Sequence, residues 1–330
     1  MGITLFNTQH PTPNILYPKP NKKMKHWIQA ARLRTLPLSV SGIILGSLYA
    51  LANQNNLILN QVFSWTIFGF AILTTLGFQI VSNFANDYGD GIKGTDNEDR
   101  IGPARAIQTG TISPAAMKKA IIITSVLTLF SAIALIYFAF KGTNLGYSVF
   151  FLILGIVAIA SAIKYTVGNS AYGYKGFGDV FVFIFFGLVS TLGVSFLHSK
   201  QLDLQLFLPA TAIGLLSVGV LNLNNMRDEA SDTKAGKNTL VVKMGGAKAK
   251  IYHYLLIGIA MLLVLIFAII YNGIGFRIDQ YAFLVAYFPL LSHLKTVYNC
   301  HESRALDPQL KKLAISTFLL SLILALVLVF

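Results

Sequence analysis

The chain has 330 residues, 55% of them hydrophobic and only 12% charged, with a mean hydropathy of +0.64. A soluble domain carries about 25% charged residues, so the composition excludes one and describes an integral membrane protein. The net charge of +13 invites a nucleic-acid reading, but the basic residues are spread over five polar loops, as membrane topology and anionic lipid contact demand, and no nucleic-acid partner is expected.

In chain order, residues 1–24 are polar and Pro-containing without an apolar core, which is not the pattern of a cleaved signal peptide. Residues 1–26 are expected as a loosely ordered cytoplasmic tail, and 27–330 as a single transmembrane domain. Apolar runs long enough to cross a bilayer, about 17 residues or more, recur along that domain. They fall at about 36–53, 62–84, 119–139, 147–164, 179–198, 206–225, 251–271, 281–298 and 313–330. Nine spans make an all-α integral membrane bundle. With the N-terminus inside, all but three of the 26 Lys and Arg residues fall on inner segments, the exceptions being Lys141, Lys200 and Arg277. That bias predicts a multi-pass protein of the cell inner membrane with a cytoplasmic N-terminus and an external C-terminus.

Gly42 and Gly46 form a GxxxG in the first span, a sign of close helix packing. One cysteine, Cys300, excludes an internal disulfide, and the six histidines show no ligand spacing. The longest inner interruptions, 85–118 and 226–250, each follow the second span of a four-span unit. Spans 1–4 and 5–8 therefore read as a pseudo-repeat with span nine left over. Such a bundle would bring both loops to one mouth of a central cavity, on the cytoplasmic side.

Those two loops hold matching acidic clusters, 138 residues apart: Asn86-Asp87-Tyr88-Gly89-Asp90 followed by Asp96, and Asn224-Asn225-Met226-Arg227-Asp228 followed by Asp232. An ionised side chain at mid-bilayer costs roughly 2.5–3.5 kcal/mol on insertion scales, so carboxylates retained in an oily chain read as functional or superficial. Asp228 and Asp232 are four apart, which puts both on one helical face, and Asn86 and Asp90 repeat that spacing. Asn224 adds a neutral oxygen one turn before Asp228. Such oxygens suit Mg²⁺ shared with phosphate, and together they suffice for two ions on a substrate diphosphate. Capping or solvated roles explain Asp87 and Glu229 well but the duplicated Asn-x-x-x-Asp poorly.

Phosphate also needs cationic donors, and Lys93, Arg100, Arg105, Arg227, Lys234 and Lys237 lie in these loops, each equally accounted for by topology. Lys175 sits in the glycine-flexed run Tyr174-Lys175-Gly176-Phe177-Gly178-Asp179, which could fold over the mouth. Asp179 could cap the following helix or orient Lys175. Phe84, Tyr88, Tyr165 and Tyr174 are the aromatic faces nearest the mouth.

Both clusters resemble the paired aspartate-rich motifs of the UbiA superfamily of intramembrane aromatic prenyltransferases. Further matching segments are Ala31–Pro37, Gly102-Pro103-Ala104-Arg105 leading to Gly110, Tyr174–Asp179 and Ala235-Gly236-Lys237-Asn238-Thr239-Leu240. Within that superfamily the chain is most similar to the branch acting on 1,4-dihydroxy-2-naphthoate. The resemblance implies Mg²⁺ held by Asn86, Asp90, Asn224, Asp228 and Asp232 with Asp96 in support. It also implies a polyprenyl diphosphate bound by Arg105, Lys175, Lys237 and Arg227, and Asp90, Asp228 and Lys175 at the centre of catalysis. The implied reaction is transfer of the polyprenyl group to dihydroxynaphthoate with decarboxylation. Two rival readings stay open on the residues alone. An ion-coupled transporter would want carboxylates in mid-span, and a CDP-alcohol phosphotransferase would want its aspartates in one compact motif.

Overall fold

The computed structural model describes residues 22–53, 63–95, 101–273 and 277–330, and among them every regular element is helical. Helix α1 (Lys22–Ala31) begins inside the stretch expected as a tail, and its Trp27 ring meets Phe84 edge-on at 5.7 Å. Arg32, at φ 52, breaks that helix, and a 3₁₀ turn (Leu33–Thr35) redirects the chain into α2 (Leu36–Ala52), where Pro37 fits the first turn. Ser64 starts α3 (Trp65–Lys93) by accepting the N–H of Ile67 at 3.3 Å, and Gly94 stops it in the left-handed region at φ 67. Ser113 and Pro114 open α4 (Pro114–Phe140) with the same kind of cap. Next come α5 (Leu145–Lys164) and α6 (Gly178–Ser199), whose Phe183–Gly193 stretch is π-helical. α7 (Phe207–Arg227) is followed by two short helices, α8 (Glu229–Lys234) and α9 (Leu240–Met244). α10 (Gly246–Asn272), α11 (Tyr287–Tyr298) and α12 (Asp307–Val329) complete the series.

Eight of the described helices are long and apolar enough to cross a membrane, where the hydropathy pattern gives nine spans. The difference lies at 281–298. There a 3₁₀ run (Ile278–Ala286) leads into the twelve-residue α11. Pro289 sits in the first turn of α11, where a missing N–H is tolerated, as suits a helix that starts there. A second difference is that α3 continues to Lys93, so Asn86 and Asp90 lie on the helix itself, not in a loop after it.

The largest apolar core lies among α2, α7, α10, α11 and α12, with Leu45, Ile213, Leu223, Phe267 and Leu313 buried in it. α3 pairs with α4 through a Thr74–Ser131 hydroxyl contact of 2.8 Å. Leu127, Phe130 and Ile153 face outward, as lipid-facing positions should. α6 is clamped on both sides by glycines. A Cβ at Gly46 of α2 would lie 2.1 Å from the Thr191 carbonyl oxygen, and one at Gly187 would lie 2.6 Å from the Gly214 Cα of α7. The GxxxG is thus a packing seam. Beside the α2 seam, whose Ser190 and Val194 are among its lining, lies a cavity of about 340 Å³ walled by α2, α3, α4, α5, α6 and α7 with Leu310 and Lys311 of α12. Along α3 it reaches from Ala71 to Asp90, about 28 Å at 1.5 Å per residue.

Gly46→Val should therefore destabilise the bundle by about 1–3 kcal/mol or more through overpacking. Gly69→Ala, on α3 with no atom within 4 Å of the new methyl, should be neutral or stabilising by about 0.5–1 kcal/mol. Thermal unfolding of both variants in detergent checks the contrast, and equal melting temperatures would contradict the seam.

Candidate active site

At the Asp90 end of the cavity the two acidic motifs come together. Asn86, Asp90 and Arg105 line it from the first half of the chain, and Asn224 and Lys237 from the second. Asp228 and Asp232 are not among its lining residues, and three of the motif carboxylates, Asp90, Asp228 and Asp232, each face a cation. Asp90 is paired with Arg105 Nη1, which also donates to the Asn86 carbonyl at 2.7 Å. Asp228 accepts from Arg227 Nε at 2.9 Å and Nη2 at 2.6 Å, a bidentate fork. Asp232 lies 3.3 Å from Lys237 Nζ.

The backbone explains why these groups converge. Asn86 and Asp90 stand one turn apart on the last turns of α3. α7 ends at Arg227, and Asp228 turns the chain into α8, yet the Asp232 N–H still reaches the Asp228 carbonyl at 2.8 Å. The helical i, i+4 register between the two aspartates thus survives the break. Asp87, read as a cap, accepts the Ala106 N–H at 3.2 Å and so fixes the residue next to Arg105. Asp232 has one oxygen, Oδ2, buried without a hydrogen-bond partner. Burial, opposed by Lys237 and reinforced by the nearby Asp228 charge, pushes its carboxyl up to about 6.

Tyr174 ties the motifs to each other. Its hydroxyl donates to Asp90 Oδ1 at 2.7 Å, so the Thr95 hydroxyl, 2.5 Å away, must donate to it. Its carbonyl accepts the Asn238 N–H at 3.1 Å, and its ring lies under Lys93 (4.1 Å) and Lys237 (5.7 Å). Burial and the Asp90 charge raise the phenol well above its ordinary range.

The remaining candidates are placed as follows. Lys175 is exposed and its carbonyl accepts from Lys243 Nζ at 2.6 Å; no contact of its side chain with the cavity is seen. Arg227 is buried, and four of its five N–H donors go to Asp228, Asn224 and Asp307, none to the cavity. Asp179 accepts from Tyr252 at 3.1 Å and makes no contact with Lys175. Asp96 and Arg100 lie outside the described residues. Of the aromatic candidates Tyr165 lines the cavity, whereas Phe84 and Tyr88 pack behind it with Trp27. Among the described residues no three Asp, Glu, His or Cys side chains form a ready metal cage.

The profile of the UbiA prenyltransferase family matches residues 40–322. The chain belongs to the UbiA prenyltransferase family. A 1,4-dihydroxy-2-naphthoate octaprenyltransferase of Haemophilus influenzae is 40% identical to it, over 93% of this chain and 96% of that protein. The Escherichia coli protein of the same name is 46% identical over 69% of this chain and 71% of its own length. Among solved structures, a UbiA homologue from Aeropyrum pernix K1 superposes with a TM-score of 0.62 at 14% identity, covering 90% of this chain and 96% of that one. A UbiA homologue from Archaeoglobus fulgidus bound to DMAPP and Mg²⁺ gives 0.57 at 16%, covering 90% and 98%. At such identities the likeness is one of fold. The chain is accordingly a multi-pass membrane prenyltransferase of this family.

Three site residues escape a reading of the sequence. Tyr174 enters as a hydroxyl on Asp90 and not only as an aromatic face. Thr95 supports it, and Asp307 reaches Arg227 from the start of α12 with Nη1–Oδ1 at 2.6 Å. A Tyr beside Lys175 in a glycine-flexed loop was signal enough for the first; nothing local marks the other two.

Removing Arg227 takes the bidentate guanidinium from the buried Asp228. Arg227→Met should destabilise the protein by about 3–5 kcal/mol, read as a lower melting temperature in detergent. An unchanged melt would mean that the buried fork does not hold this end of the bundle.

Proposed function

We propose that this chain transfers a polyprenyl group from polyprenyl diphosphate to 1,4-dihydroxy-2-naphthoate, with Mg²⁺ and with loss of the carboxyl group as CO₂, giving demethylmenaquinol, the reduced form of demethylmenaquinone, and diphosphate. The observation that carries the proposal is the convergence of Asn86, Asp90, Arg105, Asn224 and Lys237 at one end of a single, largely apolar cavity. The acceptor is taken from the names of the relatives in Haemophilus influenzae and Escherichia coli. The excess of Lys and Arg on alternate loops supports an N-terminus and cavity mouth at the cytoplasmic face of the inner membrane, and an external C-terminus follows if the 3₁₀–α segment Ile278–Tyr298 crosses as a ninth span. In the same reading, residues 27–330 form one unit in which spans 1–4 and 5–8 repeat.

The donor set fits Mg²⁺. It consists of hard oxygens, and the unpartnered Asp232 Oδ2 is a buried acceptor without a donor. The lack of a closed protein cage among the described residues agrees with an ion that completes its shell with substrate phosphate and water. Asn86, Asp90, Asn224, Asp228 and Asp232 would hold it, with Asp96 in support. When bound, the metal supplies Lewis-acid neutralisation of the charge that grows on the departing diphosphate. Arg105 and Lys237, which line the cavity, donate to the diphosphate oxygens and stabilise the same charge. Lys175, exposed beside the mouth, is a further donor that engages when substrate is present. Arg227 takes part through Asp228 and not by facing the phosphates. The allylic cation left behind is shielded from water by Tyr165, Tyr172, Phe181 and Phe185 of the cavity wall, each aromatic face contributing roughly 0.5–2 kcal/mol. The apolar length of the cavity takes the isoprenoid tail and keeps water from the cation until the electron-rich ring attacks.

The test is an acceptor panel in liposomes with Mg²⁺ and radiolabelled polyprenyl diphosphate. Label is expected on dihydroxynaphthoate, with inorganic pyrophosphate released and transfer stopped by EDTA. Exclusive use of 4-hydroxybenzoate or homogentisate would sink the acceptor, and intact diphosphate with every acceptor would return the transporter to the front. Asp90→Ala should abolish turnover while the protein still inserts; normal activity would break the two-motif site.

Protonation of Asp232 competes with metal. With its carboxyl at about 6, the deprotonated form dominates above that pH and is lost below it. The Mg²⁺ concentration for half-maximal rate should therefore rise as pH falls from 7.5 to 5.5, and this step should be absent in Asp232→Asn. A flat Mg²⁺ requirement across that range would remove Asp232 from the metal set.

A further inference from the structure

Two cations of the cavity wall have no part in the site described above. Arg34, in the 3₁₀ turn before α2, and Lys311, one turn beyond Asp307 on α12, both line the cavity. The bland reading makes them ordinary basic residues of the inner face. Their contacts leave room for more. The Arg34 side chain is 35% exposed, and its guanidinium makes no hydrogen bond among the described residues. Its ion pair with Asp307 Oδ2 is long, at 3.8 Å, and Arg227 engages the same carboxylate more closely, at 2.6 Å. Lys311 is exposed and makes no ion pair among the described residues, although Asp307 precedes it on the same helix face.

The charge on this side of the mouth is positive. Arg34, Arg227 and Lys311 stand against Asp228 and Asp307, with Arg32, another lining cation, set aside because it has a contact of its own. Lys312, beside Lys311, donates to Ser292 Oγ at 2.8 Å and adds to the same sign. The pairs Asp90–Arg105 and Asp232–Lys237 balance separately. The charges that act on Arg34 are those of Asp307, Arg227 and Asp228, whereas Arg105 and Lys237 act on Asp90. The mouth thus has two cation groups, and the proposed reaction brings two anions together, a diphosphate and an aryl carboxylate.

A hydroxyl has a place in the same wall. Gln79 of α3 lines the cavity beside the Arg34 turn, with its Nε2 3.3 Å from Thr35 Oγ1 and 3.4 Å from Asn83 Oδ1. The network fixes which end of the amide is which. Thr35 donates its proton to the Arg32 carbonyl, and Asn83 Nδ2 donates to the Ala31 carbonyl. Both therefore present acceptors to Gln79, and its nitrogen faces them. Gln79 Oε1 is left buried without a partner, a state that calls for a donor.

We infer that Arg34 and Lys311 form the subsite for the carboxylate of the aromatic acceptor, with Gln79 Oε1 accepting a ring hydroxyl, so that this wall selects a hydroxyaryl carboxylate. The inference rests on the prenyltransferase reading above. The rival account gives both cations to the diphosphate, alongside Arg105 and Lys237. The contact belongs to the bound acceptor and does not strengthen as CO₂ leaves, so its loss falls on acceptor KM and not on kcat.

The experiment measures equilibrium binding of radiolabelled 1,4-dihydroxy-2-naphthoate to the full-length protein in detergent, with and without inorganic pyrophosphate. KM for both substrates is measured alongside. A second acceptor, 1,4-dihydroxynaphthalene, has the same ring and hydroxyls without the carboxylate. Lys311→Gln should weaken naphthoate binding and raise its KM roughly 10-fold, with dihydroxynaphthalene binding and prenyl diphosphate KM unchanged. Arg34→Gln should do the same, and the exposed Lys311 covers the case in which that variant does not fold. Lys311→Arg should recover most of the loss, and Gln79→Leu should weaken both acceptors. A raised KM for prenyl diphosphate with unchanged naphthoate binding would overturn the inference in favour of the rival. Equal losses for the two acceptors in Lys311→Gln would overturn it as well. Wild-type turnover, with naphthoate binding unaltered in both cation variants, would sink the inference alone. Wild-type protein that neither binds naphthoate nor transfers a prenyl group would sink the functional reading and the subsite with it.

Discussion

A carboxylate buried in a bundle of apolar helices persists only where a cation or a set of donors faces it. Asp90, Asp228 and Asp232 are all buried, and each is met by a cation delivered from a different part of the chain. Arg105 comes from the segment after α3, Arg227 from the last residue of α7, and Lys237 from the turn after α8. Desolvating such pairs offsets much of their attraction, so a bundle seeking stability alone would do as well with leucines. The polar end of the cavity is held at the expense of packing, which is why it reads as a place of chemistry.

Each of those pairs lies within its own half of the chain, and the two halves are joined near the mouth. The join is largely main chain. Asn238 donates to the Tyr174 carbonyl, Lys243 to the Lys175 carbonyl, and Gly176, at φ 85, brings the backbone close enough for both loops to touch. Tyr174 then extends this contact to Asp90 through its hydroxyl. A separation of 138 residues between motifs becomes one connected hydrogen-bonded path. The glycine seams that lock α6 to α2 and α7 border the cavity, with Ser190 and Val194 shared between the α2 seam and the lining, so the same close packing that stabilises the bundle also shapes the space for an isoprenoid.

Much of this was legible because it is periodic. Hydropathy locates the spans, and the i, i+4 spacing of Asn86 with Asp90 and of Asp228 with Asp232 follows from helix geometry alone. Gly42 and Gly46 mark their seam by spacing. What could not be read depends on where a side chain points or on contacts far apart in sequence. The basic residues of the inner loops look alike on paper, yet Arg105 and Lys237 enter the cavity, Lys175 stays exposed and Arg227 is buried behind the carboxylates. Average hydropathy over 281–298 conceals a change from 3₁₀ to α-helix, because a window sum does not register a helix start. The buried pair His253–His293, 2.9 Å apart between α10 and α11, is forty residues apart in sequence and carries no ligand spacing.

The contrast among the three arginines and lysines at the carboxylates is one of side, not of chemistry. Arg105 and Lys237 approach from the cavity, so any anion entering there meets their donors while they still neighbour Asp90 and Asp232. Arg227 is buried, closes its fork on Asp228 and spends further donors on Asn224 and the part-exposed Asp307, so it does not line the cavity. A cation on the cavity side can exchange its carboxylate for a phosphate as substrate binds, at little electrostatic cost, because one anion replaces another. A cation on the interior side has no such exchange open to it and serves as fixed structure.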